Sequence, residues 1–191
     1  MRITGGSLRG RLVEVPGGVI RPAMDRMRES IFAVLGDLTG CSFLDMFSGS
    51  GIIALEAASR GAAVVEAVEM DPLKRKTLLK NVSIAPVRIQ CHFMAAELYV
   101  KRAKKTFDVV FCDPPFPYQY KWELITAIAR SSLLGPGSRL LLHRPKEDHQ
   151  RDLIREGPLE NIRRGEAKIY GRSVVEFFLR NSDGFYYEDV V

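Results

Sequence analysis

Asp113-Pro114-Pro115-Phe116 closes an apolar run, Phe107-Asp108-Val109-Val110-Phe111-Cys112, with a loop rich in acceptors and poor in donors. Two prolines fix φ and remove two N–H groups, so the loop offers the Asp113 carboxylate and backbone carbonyls with nothing to compete. An amino group on an aromatic ring is a weak nucleophile, because its lone pair is delocalised into the ring. Acceptors that bind its two hydrogens localise that pair toward an electrophile. Phe116 adds a face on which a base can stack. The four residues are therefore candidate catalytic groups for chemistry on a planar exocyclic amine. The plainer alternative is a strand end at which prolines merely stop the sheet.

A second stretch, Phe43-Leu44-Asp45-Met46-Phe47-Ser48-Gly49-Ser50-Gly51, runs from a short apolar strand into a glycine turn, and Ile52 to Arg60 reads as an amphipathic helix. Gly49 and Gly51 let the backbone turn sharply toward a ligand, and the helix beginning near Ser50 directs unpaired N–H groups at it. Val64-Val65-Glu66-Ala67-Val68-Glu69 is a second strand whose closing acid stands where it can accept from both ribose hydroxyls. Gly49-Ser50-Gly51-Ile52-Ile53-Ala54 also fits the loose dinucleotide fingerprint. Asp45 tilts the choice of ligand. A pyrophosphate gains nothing from a carboxylate beside the turn, whereas the ammonium and sulfonium of S-adenosylmethionine do. The ordinary alternatives are a helix-capping or turn-stabilising role for Asp45 and a solvated strand end for Glu69.

These residues, with others in order along nearly the whole chain, resemble the bacterial 16S rRNA guanine-N2 methyltransferase family (RsmD-like), within the Rossmann-like S-adenosylmethionine-dependent methyltransferases. The opening Arg2-Ile3-Thr4-Gly5-Gly6-Ser7-Leu8-Arg9-Gly10-Arg11 with Pro16 is similar to that family's signature. So is Arg21-Pro22-Ala23-Met24-Asp25-Arg26-Met27-Arg28-Glu29, followed by Phe32 and Leu35. Leu55-Glu56-Ala57, Ser59-Arg60-Gly61-Ala62, Glu69-Met70-Asp71, Asn81, the Asp-Pro-Pro-Phe loop and Tyr170-Gly171 continue the likeness. The resemblance implies S-adenosylmethionine as cofactor, bound by Asp45, Phe47, Ser48, Gly49, Gly51, Glu69, Met70, Met94 and Asp113. It implies a guanine N2 in 16S rRNA as target, within the small ribosomal subunit or an assembly intermediate. Ala23 stands where the family usually has Thr. Met94 stands where a small polar or acidic residue near the adenine is expected.

Composition fits an RNA partner without requiring one. Lys and Arg number 28 against 23 acids, a net charge of +5. Six arginines (Arg2, Arg9, Arg11, Arg21, Arg26, Arg28) fall in the first 28 residues against only Glu14 and Asp25. Arginine suits bidentate phosphate contacts and base stacking, so Arg9, Arg11, Arg21, Arg26 and Arg28 are candidate RNA contacts. A solvated cationic face with helix ion pairs such as Asp25 with Arg28 is the competing reading. Cys41, Cys91 and Cys112 show no CxxC spacing and read as small core residues in a reducing compartment. His92, His143 and His149 are not at metal-ligand spacing, so no metal is expected. The chain lacks an apolar leader and a membrane-length run, and a cytoplasmic monomer is expected.

The elements that must position these groups alternate. Strand-like runs near 43–46, 64–69, 87–91, 107–112 and 138–143 are separated by helical stretches near 51–60, 72–83, 94–104, 120–133 and 147–156. The expectation is an α/β, doubly wound, mainly parallel seven-stranded sheet, with ligands at the strand carboxyl ends near the switch point. Residues 159–169 and 174–179 complete it as a hairpin, its last strand antiparallel by resemblance. Residues 1–20 read as a glycine-punctuated hairpin and 25–36 as a helix, giving an arginine-rich extension over 1–36 before a methyltransferase domain over 37–191. Three other functions compete. A DNA amino-methyltransferase acting on adenine N6 or cytosine N4 would use the same loop but commonly needs an extra recognition region. A nicotinamide-dependent oxidoreductase leaves the loop and the arginines unexplained. A non-catalytic RNA-binding assembly factor has no use for intact Asp45, Glu69 and Asp113.

Overall fold

The computed structural model describes residues 1–15, 22–155, 159 and 161–181, without the side chains of residues 22–24 and 151–155. Arg21, Pro16 and the Tyr186-Tyr187 pair lie outside the described residues, as does the side chain of Ala23. Seven strands are formed by Ser42–Met46 (β1), Val64–Val68 (β2), Ile89–His92 (β3), Phe107–Cys112 (β4), Leu134–Pro145 (β5), Ile162–Tyr170 (β6) and Ser173–Arg180 (β7). Six α-helices are formed by Pro22–Leu35 (α1), Ile52–Ser59 (α2), Arg75–Val82 (α3), Ala96–Arg102 (α4), Lys121–Ala129 (α5) and Lys146–Arg155 (α6).

The strands form one sheet in the order β3-β2-β1-β4-β5-β7-β6, with β7 antiparallel to both its neighbours and the other pairs parallel. The central strands are apolar on both faces because both are covered, as parallel sheets require. One core joins Phe43, Val65, Phe111 and Leu141 to Leu55 of α2, Ile31 and Phe32 of α1, and Ile3. The other joins Leu44, Met46, Val110 and Leu140 to Val100 of α4 and to Ile125 and Ile128 of α5. β5 extends beyond the expected 138–143 at both ends, because Leu134 pairs with Phe107 of β4 and β7 pairs with it as far as Pro145.

Over its described part, the expected N-terminal hairpin has one ladder bridge, Arg2 with Leu12. Ile3 N–H donates to Arg11 O at 3.0 Å and Val13 N–H to Met1 O at 2.8 Å. The segment is fastened to α2. Thr4 N–H donates to Glu56 Oε1 at 2.6 Å, and Ser59 Oγ donates to the Gly5 carbonyl at 2.6 Å. Gly6 has φ +74°, and a Cβ there would stand 1.8 Å from the Ser59 carbonyl oxygen, so only glycine permits this approach. Ile3, Val13, Met27, Ile31 and Phe32 share the core of the sheet's first face, so the extension packs as part of one body.

Candidate active site

Strand register builds the site. Met46 is level with Val68 on one side and Cys112 on the other, and Cys112 is level with Leu142. One residue further along each strand come Phe47, Glu69 and Asp113, just past the ends of β1, β2 and β4, and His143, still within β5, a row across four neighbouring strands on both sides of the switch between β1 and β4. All four line a cavity of about 1180 Å³, above the usual range of roughly 300–1,000 Å³ for a single small-molecule site and roomy enough for a cofactor beside a nucleobase.

On the β1–β2 side the glycine turn is tied down by carboxylates. Glu69, buried, accepts from Gly49 N–H through Oε2 and from Asp71 N–H through Oε1, both at 2.8 Å. Each oxygen keeps a second lone pair, the provision a ribose diol needs. Lys74 Nζ lies 3.7 Å from Oε2. Asp45 is 1% exposed, and its Oδ2 accepts from Ser48 Oγ at 2.6 Å and from Ala54 N–H, in the first turn of α2, at 3.2 Å. Asp45 thus caps the helix and braces the turn from behind. Burial raises its pKa to about 7, with the charges of Asp113 and Glu69 adding and the Ser48 and Ala54 hydrogen bonds opposing. Gly51 caps α2 at φ +81°, and a Cβ there would come within 2.7 Å of Leu78 Cδ1. Phe47 holds a positive φ of 65° without being glycine, a strained conformation of the kind that collects at ligand sites. Nothing in its sequence context signals that.

On the β4–β5 side stands the acceptor loop. Its carbonyls do not all lack partners, contrary to the expectation from the two prolines. The Pro115 carbonyl takes the Tyr118 N–H at 2.8 Å, and the Phe116 carbonyl takes Lys121 Nζ at 2.8 Å. Lys121, buried at the start of α5, also donates to the Tyr118 carbonyl and pairs with Asp148 at 3.0 Å. It therefore fastens the far end of the loop. The Pro114 carbonyl accepts no hydrogen bond among the described residues. Asp113 lines the cavity, and its Oδ1 is 2.7 Å from His143 Nδ1, which leaves Oδ2 without a hydrogen-bond partner among the described residues. Phe116 is 40% exposed at the rim, its ring edge-on to His143 at 5.6 Å between centroids. Tyr118 donates to Glu97 and packs edge-on against Phe47, joining the two halves of the cavity; burial pushes its phenol up, with Glu97 adding to the effect.

The remaining candidates separate. Met70 lines the cavity, whereas Met94 is half-buried against the α4–α5 core and is not part of the lining. Ser48, Gly49, Gly51 and Asp45 are not part of the lining, although Gly49 is bonded to Glu69, which is. Among the arginines, Arg28 is not an RNA contact: it is 1% exposed and gives its guanidinium to the Arg2 carbonyl and Asp25, both at 2.8 Å, 3.6 Å from buried Glu56. The helix ion pair weighed against that role is the one formed. Arg26 is exposed one residue from Met27, which lines the cavity. Arg9 and Arg11 are also exposed. Arg9 lies in the turn that packs on Ser59, at the end of α2 away from the glycine turn, about 12 Å of helix distant. Sequence reasoning missed His143 and Lys121. His143 ends an apolar strand run in the same way that Asp113 follows another, and that parallel was the available signal.

The family model described as Conserved hypothetical protein 95 matches residues 1–179. Ribosomal RNA small subunit methyltransferase D of Escherichia coli K12 is 36% identical over 119 residues, covering 61% of this chain and only 60% of that protein. The protein of the same name from Haemophilus influenzae is 30% identical over 158 residues, covering 77% of this chain and 80% of its own length. Among solved structures, yhhF from Escherichia coli superposes with a TM-score of 0.81 at 29% identity, covering 96% of this chain and 99% of that one.

Proposed function

The chain belongs to the family described as Conserved hypothetical protein 95, and we propose that it is an S-adenosylmethionine-dependent methyltransferase acting on the N2 amine of a guanine in 16S rRNA. The observation that carries this reading is Asp113 on the cavity wall beside the exposed ring of Phe116, with one carboxylate oxygen and the Pro114 carbonyl unbonded among the described residues. Relatives of the family bear the name ribosomal RNA small subunit methyltransferase D, which favours rRNA over DNA.

The residues present fit the cofactor. Glu69 has a free lone pair on each oxygen for a ribose diol, and Asp45, Glu69 and Asp113 bring three acids to a site that would receive an ammonium and a sulfonium. Bound there, the cofactor supplies an electrophilic methyl group. A guanine turned out of an RNA loop stacks on Phe116. Its N2 hydrogens are accepted by Asp113 Oδ2 and the Pro114 carbonyl, which localises the nitrogen lone pair. Lys121 keeps that loop in place from behind, so positioning and charge complementarity carry most of the rate. The substrate is the small ribosomal subunit or an assembly intermediate, met by a monomer in the cytoplasm. Among the described residues no helix is long and apolar enough to cross a membrane.

The test is single-turnover transfer from labelled cofactor to purified small subunits, with nucleosides identified by mass spectrometry. N2-methylguanine formed by the wild type, and a rate lost in Asp113→Ala at nearly unchanged cofactor affinity, support the reading. N6-methyladenine as product, or faster methylation of duplex DNA than of ribosomal particles, refutes it.

A further inference from the structure

The row that carries Asp113 also carries His143, a buried imidazole that the chemistry above leaves unused. His143 is 5% exposed on β5, its backbone paired with Val175 of β7, and Phe116 packs edge-on against its ring. Nδ1 lies 2.7 Å from Asp113 Oδ1. Nε2 is buried without a hydrogen-bond partner among the described residues. The tautomer that satisfies this geometry has the proton on Nδ1, donated to the carboxylate, and the lone pair on Nε2. The opposite tautomer would bury an orphan N–H and set a lone pair against an anion.

We infer that His143 is a positioning residue for the target amine: its Nδ1–H anchors Asp113 Oδ1 and thereby turns Oδ2 to the cavity. The inference rests on the amine-methylation reading. A carboxylate at a strand end rotates in a broad, two-fold well about χ2, so its two oxygens exchange freely unless one of them is held. Among the described residues no lysine or arginine pairs with Asp113. Lys121, the buried cation of the loop, is engaged by the Phe116 and Tyr118 carbonyls and by Asp148. The imidazole is therefore the donor that fixes the acceptor, carried on a sheet strand and packed against the Phe116 ring of the loop. An acceptor oriented before the base arrives spares the transition state that ordering. If His143 were only core filling, an apolar residue of similar volume would serve equally well.

The test uses the full chain with His143→Leu, which fills the space without the donor, and His143→Asn, whose amide nitrogen falls near the Nδ1 position. Single-turnover methyl transfer to small ribosomal subunits and calorimetric cofactor affinity are both measured. His143→Leu should lower the transfer rate about 10- to 100-fold, the span of one hydrogen bond to a charged group, with cofactor affinity within about twofold of wild type. His143→Asn should restore most of that rate. If His143→Leu does not fold, His143→Gln takes its place, with its amide nitrogen displaced toward Nε2. A donor-lacking variant at wild-type rate overturns the inference, as does an Asn variant no faster than Leu. A loss confined to cofactor affinity overturns it too. In those cases an active wild type leaves the methyl-transfer reading standing; a wild type that transfers no methyl group overturns both.

Discussion

Asp45→Asn should stabilise the free protein and weaken its grip on the cofactor, two opposite signs from one buried carboxylate. The folded-state pKa is raised by burial to about 7 from 3.8, so between those values the folded protein keeps a proton that the unfolded chain has released. Stability therefore falls as pH rises through that window and is level above it. At about 1.4 kcal/mol per pH unit over roughly three units, the cost at pH 8 reaches about 4 kcal/mol as an upper bound. Asn cannot ionise, yet it keeps an oxygen for the Ser48 hydroxyl and the Ala54 N–H that Asp45 Oδ2 now serves. Denaturant unfolding should show the Asn variant more stable by about 2–4 kcal/mol near pH 8, with the gap closing toward pH 4.

Cofactor binding runs the other way. An ammonium and a sulfonium near Asp45 would draw it back to its charged form, so below about pH 7 binding releases a proton and the wild-type affinity rises with pH. The Asn variant should bind about 1.5–3 kcal/mol more weakly at pH 8 and without that pH dependence. Calorimetry in buffers of different ionisation enthalpy counts the proton directly. A stability gap unchanged between acid and alkaline buffer would refute the buried-charge argument. Equal, pH-independent affinities would confine Asp45 to capping α2.

Glu69→Ala should cost about 1.5–3 kcal/mol of cofactor affinity, since it removes a charged acceptor from the cavity and from the Gly49 and Asp71 N–H groups together; calorimetry on the folded variant decides, and unchanged affinity would leave Glu69 as a tie for the turn. Lys121→Met keeps the buried stem but removes the donor to the Phe116 and Tyr118 carbonyls and the ion pair with Asp148, so it should lower the transfer rate and cost about 1–3 kcal/mol of stability while sparing the cofactor; a wild-type rate would show that the loop holds its own shape. Replacing Arg9 and Arg11 together with Ala should flatten the salt dependence of RNA binding by about one to two units of log–log slope, with cofactor affinity intact; a slope identical to wild type would remove both from the interface.

Much of the frame was readable from pattern alone. The apolar runs of β1, β2 and β4 fall within a residue of where periodicity put them, because parallel strands covered on both faces declare themselves as near-continuous apolar segments. The glycine turn, Glu69 and the Asp-Pro-Pro-Phe loop were readable because each couples a local backbone constraint to a chemical group. What escaped depends on pairing across the chain. His143 was considered only as a metal ligand, and its place beside Asp113 follows from β4–β5 register, which sequence spacing does not reveal. The Lys121 ammonium reads as a helix-start charge until the loop folds back over it. Arg28 looked like its neighbours in a basic stretch, yet the turn of α1 that buries Met27 and Ile31 carries Arg28 inward onto Asp25 and the Arg2 carbonyl.

The charge at the strand ends also bears on the choice among cofactors. Asp45 and Glu69 stand around the glycine turn and Asp113 across from it, and the like charges of Asp113 and Glu69 add to the burial that raises the Asp45 pKa. Lys74, 3.7 Å from Glu69, offsets part of that charge on the cavity side. A ligand bearing a pyrophosphate would add negative charge to that arrangement, and the Gly49 N–H that such a turn usually aims at a phosphate is already donated to Glu69. A ligand bearing an ammonium and a sulfonium relieves the repulsion, and like-charge pairs are stabilised most by a cation placed between them. The dinucleotide reading of the same glycine spacing therefore fails on electrostatics, although the backbone geometry alone would have allowed it.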